Sequence, residues 1–270
     1  MVSGSIEADL DRVEALAAEL AALAGAEIQA ALGRVLSVRY KGDATAARDP
    51  VSEVDHAAEV LIRARLAEAA PGHDIIGEEI DERPGRDHDW VWAVDPVDGT
   101  ANFVNGLPLF AASVGVLHRG RPVAGAVWCS ASHALRPGVY SAREGGALRF
   151  EGVPFEPAAR PDVRRRLVGL PEAAAADSAF EARKTGSAAI ECAFVAAGLL
   201  AAARFATPNL WDVAGGVALV RAAGGEARVE ADGGWRALDR FEGPEGDLGR
   251  WRGAMILGEP SAVAALARDA

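Results

Sequence analysis

The chain has 270 residues, half of them apolar and a quarter charged, which is enough for one large globular domain or two smaller ones. Its formal net charge of −11 argues against binding to nucleic-acid polymers or anionic membranes, since both need basic protein surfaces. No apolar run approaches the roughly 20 residues that span a bilayer, and the acidic N-terminus is unlike a signal peptide. The two cysteines, Cys129 and Cys192, lie in apolar surroundings and predict buried thiols in a cytoplasmic protein.

Apolar residues at helical spacing predict a first helix from about Asp9 to Leu32, closed by Gly33. After the polar stretch "KGDATAARDP", a second helix is predicted to begin at Pro50, because proline is favoured in the first helical turn. This helix should end at Ala69, before Pro71-Gly72. Its buried face is assigned to Val51, Val54, Ala57 and Leu61.

The middle of the chain predicts β-structure. "HDIIGEEID" indicates a short strand and Trp90 to Val94 an apolar one. Two hairpins are predicted, with turns at residues 119–122 and 144–146. The proline-containing stretch "EGVPFEPAARPD" favours a domain boundary, so we expect one domain at residues 1–150 and another at 151–270. The second half alternates strands with helices, including alanine-rich "GSAAIECAFVAAGLLAAA" and the later "WDVAGGVALVRAAGG".

Acidic residues gather in four short stretches at the predicted ends of helices and strands. A single acid there is usually a helix cap or a turn residue. As a set they indicate something else, because ionised carboxylates crowd together only where a cation or a proton separates them. Oxygen ligands suit a hard cation, magnesium above calcium when a phosphate completes the shell. The acids are Asp55 in "DPVSEVD", Glu78 and Glu79 in "IIGEE", Asp95 and Asp98 in "DPVDGT", and Asp212 in "NLWDVAGG".

Gly99 and Thr100 directly precede "ANFVNG", which predicts the start of a helix. The N-terminus of a helix offers unpaired backbone N–H groups to a phosphate, and the glycine allows a close approach. Thr100 could equally be a simple helix cap, and both roles can hold at once. Metal ions held by the acids would neutralise a phosphate ester, lower the pKa of the attacking water and stabilise the departing alkoxide.

The motifs "DPVSEVD", "IIGEE", "WAVDPVDGTANF", "KTGSAA" and "WDVAGG", in this order, resemble the inositol monophosphatase family of magnesium-dependent, lithium-sensitive phosphatases. The resemblance covers roughly Lys41 to Gly225. It implies an α/β fold with an α+β N-terminal part, the layered αβαβα sandwich of inositol monophosphatase and fructose-1,6-bisphosphatase. It further implies a metal-dependent phosphoric monoester hydrolase with two or three Mg²⁺ ions, a small phosphorylated metabolite as substrate, and a homodimer.

The resemblance also implies a role for each site residue. Glu78, Asp95 and the Val97 carbonyl would hold the first ion; Asp95, Asp98 and Asp212 would hold the second. A hydrogen-bonded pair of Asp55 and Thr100, with Glu78, would orient and activate the attacking water. Glu79 would support this arrangement from outside the metal shell, and Asp212 would also border the substrate. Backbone N–H groups of Gly99, Thr100 and Ala101 would bind the phosphate.

The substrate end departs from the family pattern. Ala201 and Phe205 stand where inositol-directed members carry acids, so a contact to sugar hydroxyls is missing, whether Phe205 faces the substrate or is simply a core residue. The stretch from Val168 to Arg183 is short, and Asn105 replaces a common histidine. The basic run Arg164 to Arg166 could meet a second phosphate or form a solvated face. Alternative substrates are therefore fructose 1,6-bisphosphate, histidinol phosphate and 3′-phosphoadenosine 5′-phosphate, and the alternative class is a non-catalytic regulator that binds metal and phosphate.

Overall fold

The computed structural model describes residues 3–32, 38–40, 50–86, 88–158, 163, 166–171 and 179–268. Gly33, the polar stretch at 41–49 and the first two arginines of the 164–166 run lie outside these residues, as does much of the short stretch before Arg183. The helices of the described part are α1 (Ser3–Ala31), α2 (Glu53–Ala69), α3 (Thr100–Asn105), α4 (Ala188–Ala196), α5 (Leu210–Ala222) and α6 (Pro260–Leu266).

The strands form three sheets. In chain order they are β1 (Val38–Tyr40), β2 (Pro50–Ser52), β3 (Asp74–Gly77), β4 (Trp90–Asp98), β5 (Ala111–His118), β6 (Arg121–Cys129), β7 (Gly138–Arg143), β8 (Arg149–Phe150), β9 (Val153–Pro154), β10 (Arg166–Gly169), β11 (Phe180–Arg183), β12 (Ala202–Phe205), β13 (Glu226–Ala231), β14 (Gly234–Ala237) and β15 (Met255–Gly258).

The largest sheet has seven strands in sequential order from β3 to β9, antiparallel except for the parallel pair β3–β4. The second sheet has six strands in the order β11-β10-β12-β15-β13-β14, and β1 pairs with β2 alone. The predicted boundary between residues 150 and 151 stays a prediction. Strand β9 lies beyond that boundary and still pairs with β8 in the seven-stranded sheet.

Helices and sheets alternate in five layers. α1 and α2 cover one face of the seven-stranded sheet, where Leu20, Ile62 and Trp92 share a core. α4 and α5 lie between the two large sheets, in a core that contains Ile190 and Met255. α6 covers the outer face of the six-stranded sheet through Val263 and its neighbours. This is the αβαβα sandwich that the sequence predicts.

Helix α5 lies unusually close to the seven-stranded sheet because the contact is made by glycines. A Cβ on Gly125 of β6 would lie 2.6 Å from both the Cα and the carbonyl oxygen of Gly215. A Cβ on Gly115 of β5 would lie 2.5 Å from the Cβ of Ala214. The backbones of helix and sheet are therefore in direct contact, and this contact fixes where the first turn of α5, with Asp212, stands.

The prediction that the second helix begins at Pro50 is wrong. Residues 50–52 pair with β1, with Pro50 opposite Tyr40, and the helix begins at Glu53. Its buried face also differs from the predicted one, because Leu61 is 46% exposed. The apolar side chains that face the core lie one position further along, at Ala58, Ile62 and Leu66 after Val54.

The alanine-rich segment is only partly the predicted helix. α4 ends at Ala196, and the following alanines lead into strand β12, which pairs with β10 and β15. Alanine favours helices, but the paired backbone of neighbouring strands overrides that preference.

Both predicted hairpins are confirmed, and the two cysteines are buried free thiols. Within the described segments, no helix has the length and apolarity that a membrane span requires.

Candidate metal and phosphate site

The "DPVDGT" motif lies on the last residues of β4 and the turn that follows. The strand continues past Val94 to Asp98, but its pairing with β5 is irregular: Asp95 faces Ser113 and Asp98 faces Ala111. Three steps along β4 therefore match two along β5, which is a β-bulge. In a regular strand, residues three apart point to opposite faces. Because the bulge inserts one extra residue between Asp95 and Asp98, both side chains can lie on the same face of the sheet and point into one site.

Asp98 joins this motif to helix α4. Its Oδ2 accepts hydrogen bonds from the Ser187 hydroxyl at 2.6 Å and from the Ala189 amide at 2.5 Å. Ser187 is also the N-cap of α4, and its Oγ accepts from the Ile190 amide at 3.2 Å. The start of α4 and its partial positive charge are thereby directed at a site built on the other sheet.

Asp212 lies in the first turn of α5, where its Oδ2 accepts from the Asn209 backbone amide at 2.8 Å. Glu78 follows β3, and its own amide donates to the Val94 carbonyl at 3.2 Å, beside Asp95. Asp55 lies in the first turn of α2 and is 2% exposed. Three separate elements thus bring carboxylates towards the two aspartates of β4.

The charges of these acids act on one another because they lie close together. Burial raises the pKa of Asp95, and the charges of Glu78, Asp98, Asp212 and Asp55 raise it further. Burial also raises the pKa of Asp98, as does Asp212. For Asp212, burial raises the pKa to about 6, although the amide bond from Asn209 opposes the shift.

The residues fit a hard divalent cation. Among the residues in the described ranges, no three side chains of histidine, cysteine, aspartate or glutamate converge as a complete metal shell. The acids lie near one another without closing on one point. Their donors are all oxygen atoms, the type that Mg²⁺ prefers. The Oδ1 atom of Asp95 accepts a hydrogen bond from the Val97 amide at 3.0 Å, so this bond to the backbone involves one of its two carboxylate oxygens.

The predicted turn into a helix is confirmed at Gly99. Gly99 has φ +89°, a left-handed conformation that glycine adopts without strain, and α3 begins at Thr100. The first intrahelical bond runs from the Asn102 amide to the Gly99 carbonyl at 2.8 Å. The amides of residues 99–101 precede that bond, so they have no acceptor within the helix. The Thr100 hydroxyl donates to the Val97 carbonyl at 2.9 Å, so its predicted pairing with Asp55 stays a prediction.

A cavity of about 200 Å³ borders Asp212. Phe205 is 8% exposed, belongs to the core between the sheets and also lines this cavity, so it is both a core residue and a wall of the pocket. Lys184 and Arg204 line it as well. Ala201 is buried against α6 and is not among the cavity's described lining residues.

Sequence reasoning missed two polar residues of the site. Ser187 directly precedes the apolar run of α4, which is an N-cap signal that could have revealed it. Glu59 is fully buried four residues after Asp55, on the same face of α2, and accepts a hydrogen bond from the Glu79 amide at 2.8 Å. The i, i+4 spacing of two acids on one helix was the available signal.

Comparison with known proteins agrees with this fold. Residues 9–252 match the model of the inositol monophosphatase family. The chain is 38% identical over 223 residues to "Probable inositol 1-monophosphatase ImpA" of Mycobacterium tuberculosis, covering 76% of this chain and 78% of that protein. It is 34% identical over 235 residues to "Inositol-1-monophosphatase" of Mesorhizobium japonicum, covering 80% and 84%.

Among solved structures, the extragenic suppressor protein suhB from Bartonella henselae superposes with a TM-score of 0.71 at 25% identity, covering 97% of each chain. The matched family model and the two relatives define a phosphoric monoester hydrolase of a class that is generally metal-dependent. The chain belongs to the inositol monophosphatase family.

Proposed function

We propose that this protein uses two or three Mg²⁺ ions to hydrolyse a small phosphate monoester by direct attack of water. The observation that carries the proposal is that five carboxylates, from four elements, lie near one another around Asp95. Burial raises the pKa of Asp95, Asp98 and Asp212, and charges of the other acids add to the shift. A cation that the acids share would relieve this repulsion and attract a phosphate dianion, despite the net charge of −11.

Within this proposal, Glu78, Asp95 and the Val97 carbonyl hold one ion, and Asp95, Asp98 and Asp212 hold another. Bound Mg²⁺ neutralises the phosphoryl oxygens and makes the attacking water more acidic. Asp55 and Thr100 orient that water together with Glu78. For the Asp55 pair to form, the Thr100 hydroxyl rotates away from Val97, which also exposes the Val97 carbonyl to the ion. The amides of residues 99–101 hold the phosphate.

The pocket wall at Phe205 sets the substrate preference. The two relatives named above are called an inositol-1-monophosphatase and a probable inositol 1-monophosphatase, and we propose that this protein accepts inositol 1-phosphate as well. A phenylalanine cannot accept hydrogen bonds from sugar hydroxyls. A hydrogen bond to a charged acceptor contributes about 1.5–3 kcal/mol, so its loss lowers the preference for a polyol by roughly tenfold or more.

A second candidate is an ester that carries another anionic group, such as fructose 1,6-bisphosphate or 3′-phosphoadenosine 5′-phosphate. It is favoured by Lys184 and Arg204, two cations that line the cavity beside Asp212. Arg204 and Phe205 also line an adjoining cavity of about 850 Å³, together with Arg228 and Trp235. A leaving group larger than inositol would therefore have room beyond Phe205.

Phosphate release from a panel of esters tests the proposal. The panel holds inositol 1-phosphate, fructose 1,6-bisphosphate, histidinol phosphate and 3′-phosphoadenosine 5′-phosphate, each with Mg²⁺ and with EDTA. We expect release only with Mg²⁺, and a preference for inositol 1-phosphate over the best other ester of no more than about tenfold. Release that persists in EDTA would refute the metal role. A strong preference for inositol 1-phosphate would refute the role given to Phe205.

The remaining expectations join the same proposal. Free buried thiols suit a reducing compartment, so we place the protein in the cytoplasm. The resemblance to the family supports a homodimer and inhibition by lithium. Light scattering of the purified protein tests whether it is a homodimer. A lithium titration of phosphate release tests whether lithium inhibits it.

A further inference from the structure

A buried acid that sequence reasoning did not assign lies directly behind the candidate metal ligand Glu78. Glu59, on α2, is fully buried. Its Oε2 accepts the Glu79 amide at 2.8 Å, and its Oε1 accepts Nε of Arg63 at 2.7 Å. A Cβ on Gly77 would lie 1.9 Å from Oε1, so the carboxylate lies against the backbone just before Glu78.

Arg63 extends this hold along the segment that follows β3. Its Nη2 donates to the Ile80 carbonyl at 2.5 Å and its Nη1 to the Glu82 carbonyl at 2.7 Å. One helical turn of α2 therefore binds the backbone at residues 79, 80 and 82. Asp55 lies one turn earlier on the same helix, so α2 couples the position of Asp55 to that of the segment after β3.

These contacts fix the backbone of Glu78 from both sides. The Glu78 amide donates to the Val94 carbonyl at 3.2 Å, which holds the peptide plane before it. The Glu79 amide donates to Glu59, which holds the peptide plane after it. Because peptide groups are planar, fixing both planes leaves φ and ψ of Glu78 little freedom. The direction in which its side chain leaves the backbone is then set before any ion arrives.

We propose that Glu59, held by Arg63, is a positioning residue that aims Glu78 at the first Mg²⁺ ion. This inference rests on the proposed function. Stability alone is a weak reason to keep such a pair, since well-packed apolar residues often replace a buried ion pair at little cost. Residues that orient metal ligands typically change metal affinity by about 10–100-fold when they are removed.

The test compares Glu59→Leu, which removes the acceptor, with Glu59→Gln, which keeps an oxygen for the Glu79 amide. We expect Glu59→Leu to raise the half-saturating Mg²⁺ concentration about tenfold or more, in calorimetry and in phosphate release. At saturating Mg²⁺, kcat should fall by no more than about threefold, because the substrate does not touch Glu59. Glu59→Gln should restore Mg²⁺ affinity to within about threefold of the unmodified protein.

A readout independent of activity is hydrogen exchange of the Glu79 amide in metal-free protein. Its protection should be lost in Glu59→Leu and kept in Glu59→Gln. The matched control is Glu14→Leu. Glu14 is a glutamate of helix α1 that is 7% exposed, and it accepts a hydrogen bond from the hydroxyl of Ser141, in β7, at 2.9 Å. This control should lose stability and keep its Mg²⁺ affinity.

If Glu59→Leu shifts stability as Glu14→Leu does and leaves both Mg²⁺ affinity and Glu79 exchange unchanged, the positioning role is refuted. If Glu59→Leu does not fold, the double variant Glu59→Leu with Arg63→Met, which removes the acceptor and leaves no buried charge unpaired, replaces it with the same expectations. If the unmodified protein neither binds Mg²⁺ nor releases phosphate, the proposed function fails, whereas Glu79 exchange still decides whether Glu59 positions this turn.

Discussion

Asp95→Asn is expected to lower Mg²⁺-dependent phosphate release by about 10³-fold or more, since a metal contributes several kcal/mol to the transition state. Asp95 is the one acid to which the resemblance gives a place at both ions, and it is 2% exposed. Asparagine keeps its shape and an oxygen for the Val97 amide, so the fold should be retained. Initial rates at saturating Mg²⁺ measure the loss.

The same substitution should stabilise the metal-free protein. Burial and four neighbouring acids raise the pKa of Asp95, so its ionised form is held at a cost in folding free energy. Removing that charge should raise the Tm in EDTA by roughly 2–4 °C for each kcal/mol gained, while Mg²⁺ should no longer raise it further. Asp232→Asn, in an exposed turn, is the control and should change neither quantity. Near-normal turnover in Asp95→Asn would contradict the metal assignment.

Gly125→Val is expected to destabilise the protein by about 3 kcal/mol or more, at the upper end of what overpacking costs. The added side chain would begin 2.6 Å from the backbone of Gly215, and a helix backbone cannot move aside as a flexible side chain can. In molecules of the variant that still fold, α5 must move away from the sheet, and this movement displaces Asp212. Activity should therefore fall even under conditions in which the variant remains folded.

Urea unfolding and phosphate release measure the two effects of Gly125→Val. The matched control is Gly234→Val, in strand β14, where a Cβ would meet no atom within 4 Å. This variant should unfold near the midpoint of the unmodified protein and keep its activity. An unchanged unfolding midpoint in Gly125→Val would show that the glycine contact does not set the distance between helix and sheet.

Much of the fold follows from the sequence because periodicity and turn residues are local signals. The hairpin turning at Arg119 and Gly120 is encoded in two apolar runs on either side of it. Pro50 misled the prediction because proline suits both the first turn of a helix and the start of a strand. Only pairing with β1, a long-range contact, decides between the two. Strand β12 was hidden in an alanine-rich run for the same reason.

The candidate site was predictable as a set of acids but not as an arrangement. Asp95 and Asp98 are three residues apart, which in a regular strand would send them to opposite faces. The irregular register against β5 reconciles their spacing with one site, and no pattern in the sequence announces it. The hydrogen bonds of Ser187 to Asp98 and of Glu59 to the Glu79 amide join residues distant in sequence, so they emerge only from the folded chain.

The central claim is that the acids hold Mg²⁺ and that Mg²⁺ holds the phosphate. Calorimetric titration of EDTA-treated protein tests it most directly, first with Mg²⁺ and then with inorganic phosphate in the presence and absence of Mg²⁺. The account predicts that Mg²⁺ binds the unmodified protein, that it binds Asp95→Asn far more weakly, and that phosphate binds only when Mg²⁺ is present. Phosphate binding of equal strength without Mg²⁺, or no binding of Mg²⁺ to the unmodified protein, would contradict it.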